Sequence, residues 1–366
     1  MKILFTVEYY GSKHFHILPE FGTNLKVLSL LLSFLRNKYM NTTFYELTAP
    51  EKQWVKRKYP KLNSKFLSGS LSVKNLPSAS TEILSIHTAD IVNEKVLQKL
   101  PSLKLIVSRT AGLDHIDLAA CRSRKISVVN CPGLNATAVA EFVFGLLLNF
   151  YRQIPASLEI GKHLDFRASD FIGTELAGKT IGIIGTGAIG AHVAQIAKGF
   201  GMEILGFDFK KNQSLVKKLG MRYVSMKSVF ERSDVISLHI PATPMTQKII
   251  NRTLMAQAKK QPVLINTARG SIVDSEALLK ALQTGRLSGY LTDVFDHELD
   301  LKSGGTAMPK EIKKLMATQK AIAKMPNVFI TPHMAYASQE ASARILAHSL
   351  EVIDLFSRGK KVQSVV

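Results

Sequence analysis

The sequence predicts an α/β fold built on parallel sheet, and three observations predict it. From Thr180 onward, short β-branched runs alternate with amphipathic stretches. The intervals between those runs leave room for a helix each, which antiparallel hairpins would not need. A glycine-rich turn closes the first run and opens the helix after it. In chain order, Lys2–Val7 reads as a first strand and Leu25–Leu35 as a helical stretch. The span 51–80 is rich in Lys and Ser and less regular than the rest. A strand is expected at Ile83–Ile86, a helix at Asn93–Lys99 and a strand at Leu103–Ser108. Ala136–Tyr151 is apolar on most faces and long enough for a buried helix passing between two domains. TIGIIG then gives a strand, AIGAHVAQIAKGFG a helix and MEILGFD a second strand. VISLHI, PVLINTA, GYLTDVF and NVFITPH supply the later strands.

Composition narrows the class. The chain has 366 residues, 46% hydrophobic and 21% charged, as a packed globular protein does, which excludes a disordered or collagenous chain. Two cysteines cannot supply a disulfide framework and suit a reducing, cytoplasmic compartment. The apolar runs at Val27–Leu35 and Phe142–Leu148 fall well short of the roughly 20 residues a membrane helix needs. The opening MKILFTVEYYG carries an early Glu8 and no small-residue cleavage site, so it does not read as a secretion signal. A net charge of +20 favours anionic partners. Basic residues concentrate at 21–75 and 302–324. Neither stretch has zinc-ligand spacing or interleaved aromatics, so nucleic acid is not expected and small anionic substrates are. No internal repeat and no metal-ligand cluster is evident.

Gly185-Thr186-Gly187-Ala188-Ile189-Gly190 has the dinucleotide spacing. The first glycine permits the tight turn, the second a close approach of backbone to pyrophosphate, and the third close packing of helix on strand. The helix N-terminus then aims unpaired N–H groups at the phosphates. Asp208 ends the next strand, eighteen residues after Gly190. A carboxylate there hydrogen-bonds both ribose hydroxyls and repels a 2′-phosphate, which favours NAD, although Lys210 and Lys211 soften the preference.

Three later segments stand at expected strand ends, where open α/β sheets bind ligands. They are INTARG ending at Gly270, DVFDHE (293–298) and TPHMA (331–335). Together they offer Arg269, Glu298 and His333. Arginine can hold a substrate carboxylate and polarise its carbonyl through one planar fork. Imidazole passes a proton near neutral pH, and a neighbouring carboxylate orients it and favours its charged form. That set suits reduction of a 2-keto acid.

On these segments, with SRTAGLDHID (108–117), VVNCPGLNATAVAE (128–141), ELAGKTIGIIGTGAIG (175–190) and LHIPATPMT (238–246), the chain resembles the D-isomer-specific 2-hydroxyacid dehydrogenase family. The resemblance implies two Rossmann-like lobes of parallel sheet with helices on both faces and an active site in the inter-lobe cleft. Residues 1–134 and 335–366 would form the substrate lobe, and 135–334 the NAD lobe. Arg269 would be the substrate-binding arginine, His333 the acid/base and Glu298 its partner. Thr110, Ala111 and Gly112 would present backbone N–H groups to the substrate carboxylate. Gly185, Gly187, Ala188, Ile189, Gly190 and Asp208 would meet pyrophosphate and ribose. Ile240, Pro241 and Thr246 would line the adenine side, and Thr267, Ala268 and Asp293 would lie near the nicotinamide. A homodimer through the Ala136–Tyr151 region is also implied.

Some features depart from the family pattern or sit beside it. Cys131 stands where many relatives carry Thr or Val, and reads as a buried filler or a redox-sensitive thiol. The thirty-five-residue step from Glu298 to His333 resembles the longer spacing of D-lactate dehydrogenase-like members, making pyruvate the first expected substrate. Phosphoglycerate- and glyoxylate-type acids come next. His87 follows a strand and is a possible cleft residue. The chief rival is a dehydrogenase-fold NAD sensor or regulator, against which the full Arg/Glu/His set argues. An S-adenosylhomocysteine hydrolase-like enzyme lacks support in length and motifs.

Overall fold

The computed structural model describes residues 40–298 and 309–366. The expected strand Lys2–Val7 and helix Leu25–Leu35 lie outside the described residues. Two sheets, each wholly parallel, organise the rest.

The first sheet contains β1 (Thr42–Tyr45), β2 (Ser64–Leu67), β3 (Ile83–Ile86), β4 (Leu105–Ser108) and β5 (Ser127–Val129), in the order β2-β1-β3-β4-β5. Every residue of β1, β3 and β4 is buried, because helices cover both faces. The order reverses between β1 and β3, which opens a crevice at their carboxyl ends. The Lys-rich span 51–80 is ordered here. Thr48 and Glu51 form a reciprocal capping box and Pro50 occupies the first turn, which starts the helix Ala49–Lys58. Edge strand β2 follows, half exposed and polar, so it lacks the apolar run that marks its neighbours.

The second sheet contains β6 (Thr180–Ile184), β7 (Glu203–Phe207), β8 (Arg222–Tyr223), β9 (Val235–Leu238), β10 (Val263–Asn266), β11 (Gly289–Thr292) and β12 (Val328–Ile330). Their order is β12-β11-β10-β9-β6-β7-β8, with the reversal between β6 and β9. Each expected strand from TIGIIG onward is present, and the helix Ala188–Gly199 follows β6 directly. The helix Ala136–Tyr151 also has the expected bounds. It buries Ala140, Val143, Phe144 and Leu147 in one cluster with Ile181, Val193 and Ala197, so it belongs to this sheet.

After β12 the chain returns to the first sheet. The helix Gln339–Ser357 packs Leu346, Leu350 and Ile353 with Phe44, Ile83, Leu105 and Val107. The terminal tail continues the contact, with the Val365 N–H donating to Val128 O at 2.9 Å. The carboxyl ends of both sheets therefore carry the loops that meet between them.

Candidate active site

Gly185 adopts φ +95°, and a Cβ there would press on the His239 carbonyl at the end of β9. A Cβ on Gly190 would collide with Gly185 O. Gly187 differs, since nothing stands within 4 Å of its missing Cβ. It is also the N-cap of Ala188–Gly199 and supplies no side-chain cap. The first amides of that helix thus face open space beside a backbone stripped of side chain, the cradle a pyrophosphate needs. Asp208 reaches back to this turn: its Oδ2 accepts from Thr186 N (2.6 Å) and its Oδ1 from Lys210 N (3.0 Å). On the adjoining rim, Thr246 Oγ1 donates to Pro241 O at 2.7 Å, closing the loop that starts at Ile240. Burial pushes His239 down to about 3, so it is neutral there, and its Nε2 meets Ser237 Oγ at 2.8 Å. The residues fit a bound dinucleotide.

On the other side of the cleft floor, β10 ends in Asn266, whose Oδ1 accepts from Ala268 N at 3.1 Å and whose Nδ2 donates to Arg269 O at 2.9 Å. This shapes the turn that carries Thr267, Ala268 and Arg269. Thr267 Oγ1 is buried with no hydrogen-bond partner among the described residues, a polar atom awaiting one. A Cβ at Gly270 would collide with the Phe295–Asp296 peptide, so only glycine lets this turn touch the loop after β11.

That second loop carries Glu298. Its Oε1 accepts from Phe295 N at 2.7 Å, and its Oε2 stands 2.7 Å from His333 Nδ1. His333 adopts φ +57°, a left-handed conformation that costs an L-residue about 1–2 kcal/mol. Asp293 holds it there. Buried at the end of β11, Asp293 accepts from Thr331 Oγ1 (2.6 Å) and Met334 N (2.9 Å) through Oδ1, and from Ala335 N (2.8 Å) through Oδ2. One carboxylate thus pins the turn on both sides of the imidazole.

The first sheet supplies the opposing loop, 109–117. Thr110 Oγ1 donates to Gly112 O and Asn130 Nδ2 to Ala111 O. In a trans peptide the N–H points opposite to the carbonyl. Both contacts therefore turn the amides of Gly112 and Leu113 the other way. Neither amide, nor that of Ala111, donates to a protein acceptor among the described residues. Arg269 closes against this loop: its Nε donates to Asp114 Oδ2 at 2.9 Å, and a Cβ on Gly112 would overlap its Nη2.

His87 follows β3 and packs its ring on Tyr336, centroids 5.2 Å apart, three residues after His333. Burial first, then the Arg109, His115 and His333 charges, pushes His87 down to about 4. Cys131 is buried against Ser349, and burial pushes its thiol up, which makes it a filler and not a reactive thiolate.

The sequence model for the D-isomer specific 2-hydroxyacid dehydrogenase NAD binding domain matches residues 144–335. The chain is 37% identical over 287 residues to 2-hydroxyacid dehydrogenase homolog 1 of Schizosaccharomyces pombe, covering 78% of this chain and 85% of that one. The chain belongs to the D-isomer-specific 2-hydroxyacid dehydrogenase family. It is an NAD-dependent oxidoreductase. Among solved structures it is similar to D-lactate dehydrogenase of Aquifex aeolicus in complex with NAD and lactic acid, with 35% identity and a TM-score of 0.74 over 87% of this chain and 96% of that one. It is also similar to apo D-lactate dehydrogenase of Escherichia coli, with 28% identity and a TM-score of 0.76 over 89% and 99%. A D-3-phosphoglycerate dehydrogenase of Bacillus subtilis is 32% identical over 84% of this chain and 56% of its own length.

Sequence reading of this dehydrogenase missed Asp114, Asn130 and Tyr336. An acid two residues after a strand-end glycine was the available signal for Asp114; nothing local marks the other two.

Proposed function

We propose that this dehydrogenase interconverts a small 2-keto acid and its D-2-hydroxy acid, pyruvate and D-lactate first, with His333 as acid/base. The observation that carries the reading is the His333 Nδ1–Glu298 Oε2 contact of 2.7 Å. Nδ1 engaged by a carboxylate leaves Nε2 to give a proton to the carbonyl oxygen in reduction and take it back in oxidation. Glu298 fixes the ring plane and stabilises the imidazolium that forms. Arg269 takes the substrate carboxylate and polarises the carbonyl, and the amides of Gly112 and Leu113 complete the carboxylate's ligands beside Thr110 and Ala111. A guanidinium already shared with Asp114 suits a monoanion better than a dianion, which places a phosphoglycerate-type acid behind pyruvate and glyoxylate. NAD supplies the hydride acceptor, and NADH the donor in reverse. Gly185, Gly187, Ala188, Ile189 and Gly190 would hold its pyrophosphate, Asp208 its ribose, Ile240, Pro241 and Thr246 its adenine side, and Thr267, Ala268 and Asp293 its nicotinamide end.

Residues 1–134 with 335–366 form the substrate lobe in this reading, and 135–334 the NAD lobe. Association as a homodimer is supported by exposed apolar side chains in the segment that follows Ala136–Tyr151: Leu158, Leu164, Phe166 and Ile172, the last three over 75% exposed. A reducing, cytoplasmic location is supported by two free, buried cysteines. No helix among the described residues is long and apolar enough to cross a membrane.

The test follows NADH absorbance with pyruvate, glyoxylate, hydroxypyruvate, 2-oxobutyrate, 2-oxoglutarate and phenylpyruvate, and repeats it with NADPH. His333→Ala and Arg269→Ala should each lower kcat/KM by roughly a thousandfold or more while NADH binding persists. Full activity in both variants defeats the assignment.

A further inference from the structure

Arg269 is fixed by residues from both sheets. Its Nε donates to Asp114 Oδ2, on the loop after β4, at 2.9 Å, and its Nη1 to Ala268 O, on its own turn, at 2.7 Å. Its Nη2 lies over Gly112, where any side chain would overlap it. A guanidinium has five N–H donors. With two committed, both N–H groups of Nη2 and one of Nη1 remain without a protein acceptor among the described residues. The fork is therefore held by its Nε edge and by one corner, while its outer end stays available.

An ion pair this exposed is worth little as a stabilising contact; Asp114 is 64% exposed. Its value lies in where it acts. Arginine loses rotamer freedom when a ligand immobilises it. A carboxylate that has already fixed Nε removes part of that cost before substrate arrives. The contact joins loops 155 residues apart on opposite sheets, so it forms only where the two loops meet.

We propose that Asp114 is a positioning residue: it reaches across the cleft to hold Arg269 by Nε, presenting the outer N–H groups to the carboxylate and carbonyl of a 2-keto acid. Asp114 touches no substrate itself. The proposal rests on Arg269 as the substrate-binding arginine, and the test separates the two claims.

Asp114→Ala, Asp114→Asn, Arg269→Ala, Arg269→Lys and the double variant Arg269→Lys/Asp114→Ala are compared for KM and kcat with pyruvate or the best acid of the panel. Binding of oxamate to the NADH complex is measured alongside, with the NADH Kd as the check on folding. Loss of preorganisation acts on substrate binding and transition state alike, so it raises KM and leaves kcat. Asp114→Ala should raise KM and the oxamate Kd roughly tenfold, with kcat within about twofold and the NADH Kd unchanged. Asp114→Asn, whose amide oxygen still accepts from Nε, should recover most of the loss. Removing Asp114 in the Arg269→Lys background, where no Nε–H remains, should change oxamate binding by less than about twofold.

Oxamate binding unchanged in Asp114→Ala overturns the positioning role, and tighter binding does so too, because it makes Asp114 a competitor for the guanidinium. A kcat loss with unchanged KM also overturns it. Arg269→Ala that binds oxamate like wild type overturns the arginine assignment itself, whatever the Asp114 variants do.

Discussion

The turn bearing His333 should depend on Asp293, and Asp293→Asn exposes that dependence with little change in volume. The carboxylate accepts three hydrogen bonds, two through Oδ1 and one through Oδ2. An amide has one oxygen. In its better orientation it keeps the Thr331 and Met334 contacts and sets an NH2 group against the Ala335 N–H. A hydrogen bond to a charged group contributes about 1.5–3 kcal/mol and a neutral one about 0.5–1.5. One bond lost and two weakened come to roughly 5 kcal/mol at mid-range. For a lobe of about 200 residues this lowers Tm by about 10–20 °C. The consequence for turnover is larger than the energy alone implies, because His333 is held at φ +57°. A released turn relaxes out of the left-handed region and carries the imidazole away from Glu298; a displacement near 1 Å costs about a hundredfold in rate. Thermal unfolding of the apoenzyme and steady-state kcat are the assays. A variant with Tm within a degree of wild type and kcat within twofold refutes the reasoning. A variant that loses only NADH affinity makes Asp293 a cofactor ligand and leaves the turn to its own conformation.

Acid should destabilise the protein in a predictable window. Folding lowers His87 and His115 from 6.5 to about 4 and His239 to about 3, so each binds a proton more readily when unfolded. Those contributions are present above pH 6.5 and are lost as pH falls toward 4. Asp90, raised mainly by burial to about 6, opposes them, since its folded form is the better proton acceptor between about 4 and 6. Three histidines against one aspartate leave a net uptake of up to two protons on unfolding, and urea midpoints between pH 4 and 7 should fall on acidification. Asp90→Asn should steepen that slope; a flat profile refutes the assignment. Asp208→Ala should weaken NADH and shift the NADPH/NADH preference toward NADPH by about tenfold or more, read from kcat/KM with each cofactor. A charge on this exposed apolar segment, Leu164→Glu or Phe166→Glu, should convert the proposed dimer to monomer in sedimentation; an unchanged dimer moves the interface elsewhere, and a wild-type monomer refutes the dimer.

Much of this site is legible in sequence because each strand end is a contiguous word. TGAIG, INTARG and TPH carry both the chemistry and the turn that exposes it, and the second sheet, with β3 and β4 of the first, follows from runs such as TIGII and LIVS that are buried at every residue. The Ala49–Lys58 helix is less legible for a physical reason. It buries only Val55, so no 3.6-residue apolar stripe exists to be read, although its Thr48–Glu51 capping box does mark its start. Strand β1 hides in the same way: Thr42 and Thr43 are buried, with Thr43 bonded to Thr81, a pairing that local pattern does not record.

What sequence motifs leave unstated is which words touch. Arg269 and Glu298 stand on separate loops, and their approach is decided by Gly270, whose missing side chain admits the Phe295–Asp296 peptide. Gly112 plays the same part across the cleft, admitting the Arg269 guanidinium to a loop from the other sheet. Both glycines sit in turns where glycine is ordinary, and sequence alone gives Gly112 only a backbone N–H to offer and Gly270 no role of its own. The structure gives both a packing role. Neither adopts a positive φ, and each is required for close packing that fixes a functional side chain. The catalytic set is thus specified twice, once by the residues that carry the chemistry and once by the small residues that let their loops meet, and only the first specification is written in contiguous sequence.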